Sequence, residues 1–471
     1  MLNISASILK RFNRRQLILL LVNFIFISSN LFFCISYRTG ELLVDLSFLA
    51  NFVLIVVLIC KHTKSEDFNP FHSVFLVFNY LFFIISPMIQ TSNGFYPNTM
   101  GYKSDLVIRT NILILIFNIV YYIVYQVLSK KGKKSNKVGS KERLSFSKNT
   151  FFTVLILSLL IFAVFFKNIL YGILYKISIL DLETYQMLII NKFLFSIPIF
   201  LIAFLITQKN EFKKPLYITL FLLSAFLLIF VKNPIMERRN AIGPLYLAIL
   251  FIMGKKFINK NIYFTFIILA IFVIFFPLAA NITNSNYGLL YNIERWKEWK
   301  LDISKTFSSL HYDAWSNFMA TIEYVDKNDI TYGRQLLGVI AFFIPRAIWA
   351  SKPIGTGILI GNYLMVEHAM WFNNLSNPFI SEGYINFGVI GVIIFACILS
   401  IASVKVKYLF LYNDINWFVG MYISLYMFYL LRGDLMSSFS YLVGALLGFY
   451  YLPMLLDRGI RKIEKLTKDS K

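Results

Sequence analysis

The sequence predicts an all-α polytopic membrane protein with about twelve transmembrane helices and one large external loop. Hydrophobic residues make up 58% of the 471 positions, and mean hydropathy is +0.66, beyond the range of a soluble domain. The apolar residues fall in runs of bilayer-spanning length. One long polar stretch, from about residue 281 to residue 383, interrupts them. Connectors of that length characteristically carry function.

Apolar runs long enough to cross a bilayer, or nearly so, occur around 16–38, 42–60, 72–89, 106–128, 150–166, 193–208, 215–231, 242–254, 262–280, 383–402, 415–431 and 437–454. The run at 242–254 is short. Three regions follow: residues 1–280 with nine helices and short loops, 281–382 as the large loop with amphipathic helices, and 383–471 with three more helices and a basic tail. The first run has the length of a full span with no small-residue cleavage pattern after it, so no cleavable signal peptide is expected. Residues 168–192 alternate apolar and polar side chains at helical spacing, which fits a helix along the membrane surface or an ordinary loop helix equally well. No internal repeat is visible.

Inside the long loop, Ile293, Trp296, Trp299, Ile303 and Phe307 recur at helical spacing, followed by Trp315, Phe318, Ile322 and Val325. Two amphipathic helices are predicted. Residues 336–344 are apolar but too few to span, so they are expected to dip into the membrane edge or pack beneath the loop. Pro345 would start or kink the next helix and present Arg346 at its beginning.

The formal charge is +22, and its placement decides what it means. Lys10, Arg11, Arg14 and Arg15 precede the first run. The 129–149 connection, read as a flexible linker, carries Lys130, Lys131, Lys133, Lys134, Lys137, Lys141, Arg143 and Lys148. Arg458, Arg461, Lys462, Lys465, Lys468 and Lys471 follow the last run. With an even number of helices these groups share one face, which the positive-inside rule makes cytoplasmic. The basic excess is therefore a signal of topology and anionic lipid, and no nucleic-acid partner is expected. Both termini then lie in the cytoplasm and the long loop outside it. Cys34, Cys60 and Cys397 sit in apolar runs, as small hydrophobes rather than a disulfide or metal framework.

No HExxH, DxD, Walker or dinucleotide fingerprint occurs, and no metal or organic cofactor is expected. His62, His72, His311 and His368 are scattered singly. The informative residues are external arginines near the membrane plane: Arg238 and Arg239 in Glu237-Arg238-Arg239-Asn240, Arg334 and Arg346 with Lys352 in the loop, and Arg432 in Arg432-Gly433-Asp434. Guanidinium forks bind phosphate oxygens in pairs and keep their charge; the same residues also serve as interfacial anchors or as partners of Glu237 and Asp434. Glu382 stands at the mouth of a span, suited to act as a base or to hold an arginine. Trp296, Trp299, Trp315, Trp349 and Trp371 suit sugar stacking, loop packing or an interfacial belt.

Three stretches resemble the O-antigen polymerases (Wzy-type oligosaccharide repeat-unit polymerases), relatives of the O-antigen ligases. Phe343-Ile344-Pro345-Arg346-Ala347-Ile348-Trp349-Ala350-Ser351-Lys352-Pro353 resembles that family's Pro-Arg…Trp…Lys-Pro pattern. Ile380-Ser381-Glu382-Gly383-Tyr384-Ile385-Asn386-Phe387-Gly388-Val389-Ile390-Gly391 is similar to its Glu…Tyr…Asn-Phe-Gly…Gly pattern after the long loop. Arg238-Arg239 stands where relatives place an arginine. The resemblance covers roughly residues 230–400. It departs from the ligases, which carry a histidine before the post-loop helix where this chain reads Asn374-Leu375-Ser376-Asn377-Pro378.

The resemblance implies a GT-C-like, metal-independent glycosyltransferase of the bacterial inner membrane, with a periplasmic loop. It would move a growing glycan from undecaprenyl diphosphate onto the terminal sugar of a new lipid-linked repeat unit. A chain-length-regulating membrane protein is an implied partner. Arg238, Arg239 and Arg346 would meet the diphosphate and Glu382 the acceptor hydroxyl. Lys352, Arg334 and Trp349 would bind substrate, while Tyr384 and Asn386 would shape the site or pack the post-loop helix. The rivals are a lipid-linked oligosaccharide flippase, for which repeats and acidic residues deep in the spans would speak, and an O-antigen ligase.

Overall fold

The computed structural model describes residues 14–135, 146–175, 184–208, 212–234, 239–277, 302–411 and 414–469. These residues are helical with no strand among them. Among the described residues eight helices are long and apolar enough to cross a membrane, so the chain is an all-α polytopic membrane protein. In chain order the bundle comprises α1 (Arg14–Ser36), α2 (Leu42–Lys64), α3 (Pro70–Ser92), α4 (Ser104–Ser135), α5 (Lys148–Tyr175), α6 (Thr184–Lys192) continued by α7 (Ile199–Thr207), α8 (Lys214–Val231), α9 (Arg239–Met253) and α10 (Asn261–Ala270). The long loop contributes α11 (Ile303–Phe307), α12 (Ala314–Asn328), α13 (Arg334–Ile340) and α14 (Thr356–Glu367). The last helices are α15 (Phe379–Leu409), α16 (Asp414–Arg432) and α17 (Leu435–Leu446), the last extended by Leu452–Asp469.

Each apolar run of the sequence is helical over most of its described residues. α9, α10 and α16 fall short of these eight in length or hydropathy, while α1 runs for 23 residues. For α16 the reason is burial: most of its side chains, Trp417, Tyr422 and Tyr426 among them, face protein. A helix surrounded by helices has no lipid to satisfy, so its sequence tolerates hydroxyls and amides. It packs on α3, α9 and α15 at the centre of the bundle. α3 is its counterpart, buried along nearly its whole length.

Side-chain ties mark two faces. At one, the long loop docks on the connections 92–104 and 432–435. Thr99 Oγ1 donates to the His368 carbonyl at 2.8 Å, and Lys103 Nζ to Glu323 Oε1 at 2.5 Å. At the other, Lys407 pairs with Asp67 at 3.2 Å and Lys255 with Asp414 at 2.6 Å. The loop is settled by bonds to the bundle: Gln90 Nε2 and Ser86 Oγ each donate at 2.8 Å to the Phe307 carbonyl, and Trp315 Nε1 donates to Asn111 Oδ1 at 2.9 Å. Satisfying buried polar groups in this way is what permits irregular backbone at a membrane protein's rim.

Several local expectations change. Helix α12 forms where the second amphipathic pattern predicts it, while most of the first lies outside the described residues. No helix follows Pro345; residues 341–351 form successive turns, and the next helix starts at Thr356. Within 168–192, α5 runs on to Tyr175 and the span Gln186–Thr207 opens beside it, so both ends belong to bundle helices rather than a surface helix. The three cysteines are free and half-buried.

Candidate functional site

The site is organised by a reversal inside α15. Phe387 (φ −143°, ψ 17°) and Gly388 (φ 60°, ψ −142°) leave the helical region. The chain doubles back there, bringing Phe379 against Phe395 with ring centroids 4.9 Å apart. Gly388 occupies a region that only glycine enters without strain. Where the arms meet, a Cβ on Gly391 would come within 1.8 Å of the Gly383 carbonyl oxygen, so a side chain is excluded. Phe379–Asn386 is thus a short arm, buried throughout, and Val389–Leu409 is the arm that continues to the opposite face.

This reversal corrects the position of Glu382. It lies inside the bundle, 1% exposed, rather than at an open mouth. Its Oε1 accepts from the Thr356 hydroxyl and from Leu435 N at 3.1 Å. Asp434 reaches the same hydroxyl, with Oδ2 at 3.3 Å, and accepts from Gly357 N at 3.0 Å. Its Oδ1 caps α17 through Ser437 N at 2.9 Å. Glu382 Oε2 is buried with no hydrogen-bond partner. A buried acceptor of this kind is costly unless something uses it.

Other candidates surround this pair in structural roles. Asn386 Nδ2 donates to the Glu382 carbonyl at 2.8 Å, and its Oδ1 accepts from Thr331 Oγ1 at 3.1 Å, tying the reversal to the start of α13. Arg346 Nη1 and Nη2 donate to the carbonyls of Lys352 and Pro353, at 2.6 and 3.1 Å. Lys352 Nζ donates back to Phe342 and Ile344 carbonyls at 2.7 and 3.0 Å. The two cations thereby close the 342–353 turn that leads into Thr356. Burial and the adjacent Arg346 guanidinium hold the Lys352 ammonium below the ordinary lysine range. Trp349 Nε1 donates to Ser351 Oγ at 3.1 Å.

The remaining candidates are not brought together with these. Tyr384, on the short arm, packs edge-on to Phe318, 5.9 Å between centroids. The Arg334 side chain is exposed, in a segment whose Leu337, Ile340, Phe343 and Ile348 are exposed too; this is the pattern of a membrane-edge anchor. Arg239 opens α9, and Arg238, like Trp296 and Trp299, lies outside the described residues. Trp315 is fully buried and Trp371 is 66% exposed. Arg432 Nη2 donates to Asp313 Oδ1 at 3.0 Å and to the Leu310 carbonyl at 2.7 Å. Its acid partner is therefore in the loop rather than the neighbouring Asp434.

Comparison with family models, with curated proteins and with solved structures finds no match to this chain. The site therefore stands on its geometry.

Three groups escaped the sequence reading. Asp434 appeared only as an arginine's partner, yet it shares a hydroxyl with Glu382. Lys192 and Lys232 are buried although each only flanks an apolar run, one before 193–208 and one after 215–231. His62 and His72 look isolated in the chain but stand 4.7 Å apart by ring centroid, held by Ser73 Oγ at 2.8 Å and Tyr121 OH at 2.9 Å. Their spacing across the α2–α3 connection follows no helical rule. Among the described residues no cluster of His, Cys, Asp and Glu is arranged to hold a metal ion.

Proposed function

We propose that this chain is a GT-C-like glycosyltransferase of the bacterial inner membrane that polymerises lipid-linked oligosaccharide repeat units on its loop face, taken as periplasmic. The observation that carries the reading is Glu382: a carboxylate with one oxygen fixed by Thr356 and Leu435 and the other free, beside Asp434. In the proposed step Glu382 takes the proton of the acceptor sugar's hydroxyl. That oxygen bonds to the anomeric carbon of the growing glycan, and the bond from this carbon to undecaprenyl diphosphate breaks. The leaving group departs with its charge, so no nucleotide is consumed. Twelve spans with both termini in the cytoplasm suit the basic excess on the face opposite the loop.

The resemblance of the 343–353 and 380–391 motifs to O-antigen polymerases supports the same reading. Arg346 and Lys352 contribute by shaping the turn that places Thr356. The test is reconstitution of purified protein in vesicles with lipid-linked repeat unit, comparing wild type with Glu382→Gln. Polymer from the wild type and single units from the variant are expected. Equal polymer from both removes Glu382 from the reaction. Movement of units across the bilayer with no new glycosidic bond would make the chain a flippase instead.

A further inference from the structure

We propose that the outer side of the α17 extension, Leu452–Asp469, binds anionic lipid headgroups of the leaflet opposite the loop. This helix belongs to the span Leu435–Thr467, whose 33 residues extend about 50 Å at roughly 1.5 Å per residue. That exceeds the roughly 40–45 Å of a bilayer with its headgroups. Its last turns therefore reach the surface of that leaflet, at the end of the bundle away from Glu382.

The side chains there sort by chemistry around the helix. Leu455, Gly459, Ile463 and Leu466 follow at steps of four, four and three, the spacing of one helix face. Leu455 is 60% exposed, Ile463 63% and Leu466 61%. Arg458, Lys462 and Lys465 flank this stripe on one side, exposed and with no acid partner among the described residues. The acids are turned the other way. Asp457 accepts from Ser147 N at 2.8 Å, from Thr150 Oγ1 at 2.7 Å and from Arg461 Nε at 2.7 Å. Glu464 Oε1 accepts from Asn149 Nδ2 at 2.6 Å. Both carboxylates are thus engaged at the start of α5, and the outer side is left apolar and cationic.

Charge and continuity name the occupant. Phe212 packs on Phe151 of α5, with ring centroids 5.5 Å apart, which sets the exposed Lys213 and Lys214 at the opening of α8 on the same rim. The stripe also continues the outer surface of the span itself, where Leu447 and Tyr451 are each 45% exposed. A basic face beside an apolar one seats at the boundary of headgroups and acyl chains, and each basic side chain there adds attraction to anionic lipid. A span longer than its bilayer tilts, and tilt toward this side covers Ile463 and Leu466. An acidic protein could meet the lysines but could not follow the stripe into the bilayer.

The test is amide hydrogen exchange of full-length protein in nanodiscs of phosphatidylcholine, with and without phosphatidylglycerol, and with α2 as the internal control. Exchange over residues 458–467 should be about tenfold slower with phosphatidylglycerol, and high salt should erase the difference. Lys462→Glu with Lys465→Glu, and separately Ile463→Ser with Leu466→Ser, should each exchange at the faster rate in both bilayers. The wild-type comparison needs no variant to fold: equal exchange in the two bilayers overturns the proposal. So does slow exchange in both that is lost when residues 136–145 are deleted, which would give the surface to the chain's own connection. Protection that rises with the number of chains per nanodisc would give it to a second copy and overturn the lipid as well.

Discussion

Glu382 and Asp434, from helices far apart in the chain, meet at the Thr356 hydroxyl, and only one of them can receive its single proton. The short contact goes to Glu382, while Asp434 Oδ2 stands at 3.3 Å and takes Gly357 N. The three residues lock α14, α15 and α17 together under the loop. Glu382 Oε2 is left buried without a hydrogen-bond partner.

Replacing Glu382 by Gln tests that division. The amide oxygen can still accept from Thr356 and Leu435, so thermal stability in detergent should stay near that of the wild type. Glycan transfer should fall by about 10²–10⁴-fold, the usual worth of a positioned base. A single-turnover rate equal to wild type would reduce Glu382 to a structural acceptor.

Gly388→Ala strikes the reversal itself. The Gly388 backbone lies at φ 60°, ψ −142°, so an alanine should cost about 1–3 kcal/mol of strain. The measurement is the melting temperature in detergent. A melting point unchanged by the substitution would mean that the reversal is not required for the fold.

Arg346 separates charge from shape. Its fork spans the carbonyls of Lys352 and Pro353, which a lysine cannot do with one nitrogen. Arg346→Lys should therefore resemble Arg346→Ala in kcat and in protease sensitivity of the 342–353 turn. If the lysine variant keeps wild-type kcat while the alanine variant loses it, the positive charge itself matters.

Acid should loosen the loop through Glu323. Burial works to raise this carboxyl, but the hydrogen bonds and charges of Lys103 and His368 outweigh it, leaving it below its ordinary 4.5. A carboxyl lowered by folding stabilises fully above its unfolded value, and the contribution fades as pH falls through the folded one. The melting temperature should drop below pH 4.5 more steeply in wild type than in Glu323→Gln. Parallel profiles would dismiss the ion pair as a determinant of stability.

Arg432 and Asp313 offer a test of the loop's attachment. Both side chains are largely buried, 13% and 3% exposed, so removing one partner leaves an uncompensated charge. Arg432→Met or Asp313→Asn should each cost about 3–5 kcal/mol, and the double variant less than their sum. Unfolding in mild denaturant followed by tryptophan fluorescence would read it, and additive losses would deny the coupling.

Helix content was legible because lipid-facing helices must be apolar along their length, as in α2 and α8. The centre was less so. α16 is enclosed by protein and carries tyrosines, so its pattern weakens where its burial is greatest. The 380–391 motif pointed at Glu382, but periodicity alone cannot show that a helix folds back on itself at Gly388. Arg346 looked like a ligand for phosphate because its type is right for one. Only coordinates reveal that two carbonyls already occupy its fork. Lys192 and Lys232 were invisible for the opposite reason: a single lysine at the edge of an apolar run reads as an anchor until the fold buries it.

The bond between Arg432 and Asp313 also sets an order of assembly. The loop is synthesised well before α16, yet its Asp313 carboxylate is neutralised by a guanidinium at that helix's far end. Until the ribosome has delivered α16 and the bilayer has accepted it, docking the segment around α12 would desolvate the Asp313 carboxylate with no cation beside it. Chains cut short before Arg432 would thus carry a complete loop that cannot dock, and the quality-control proteases of the membrane would find it first.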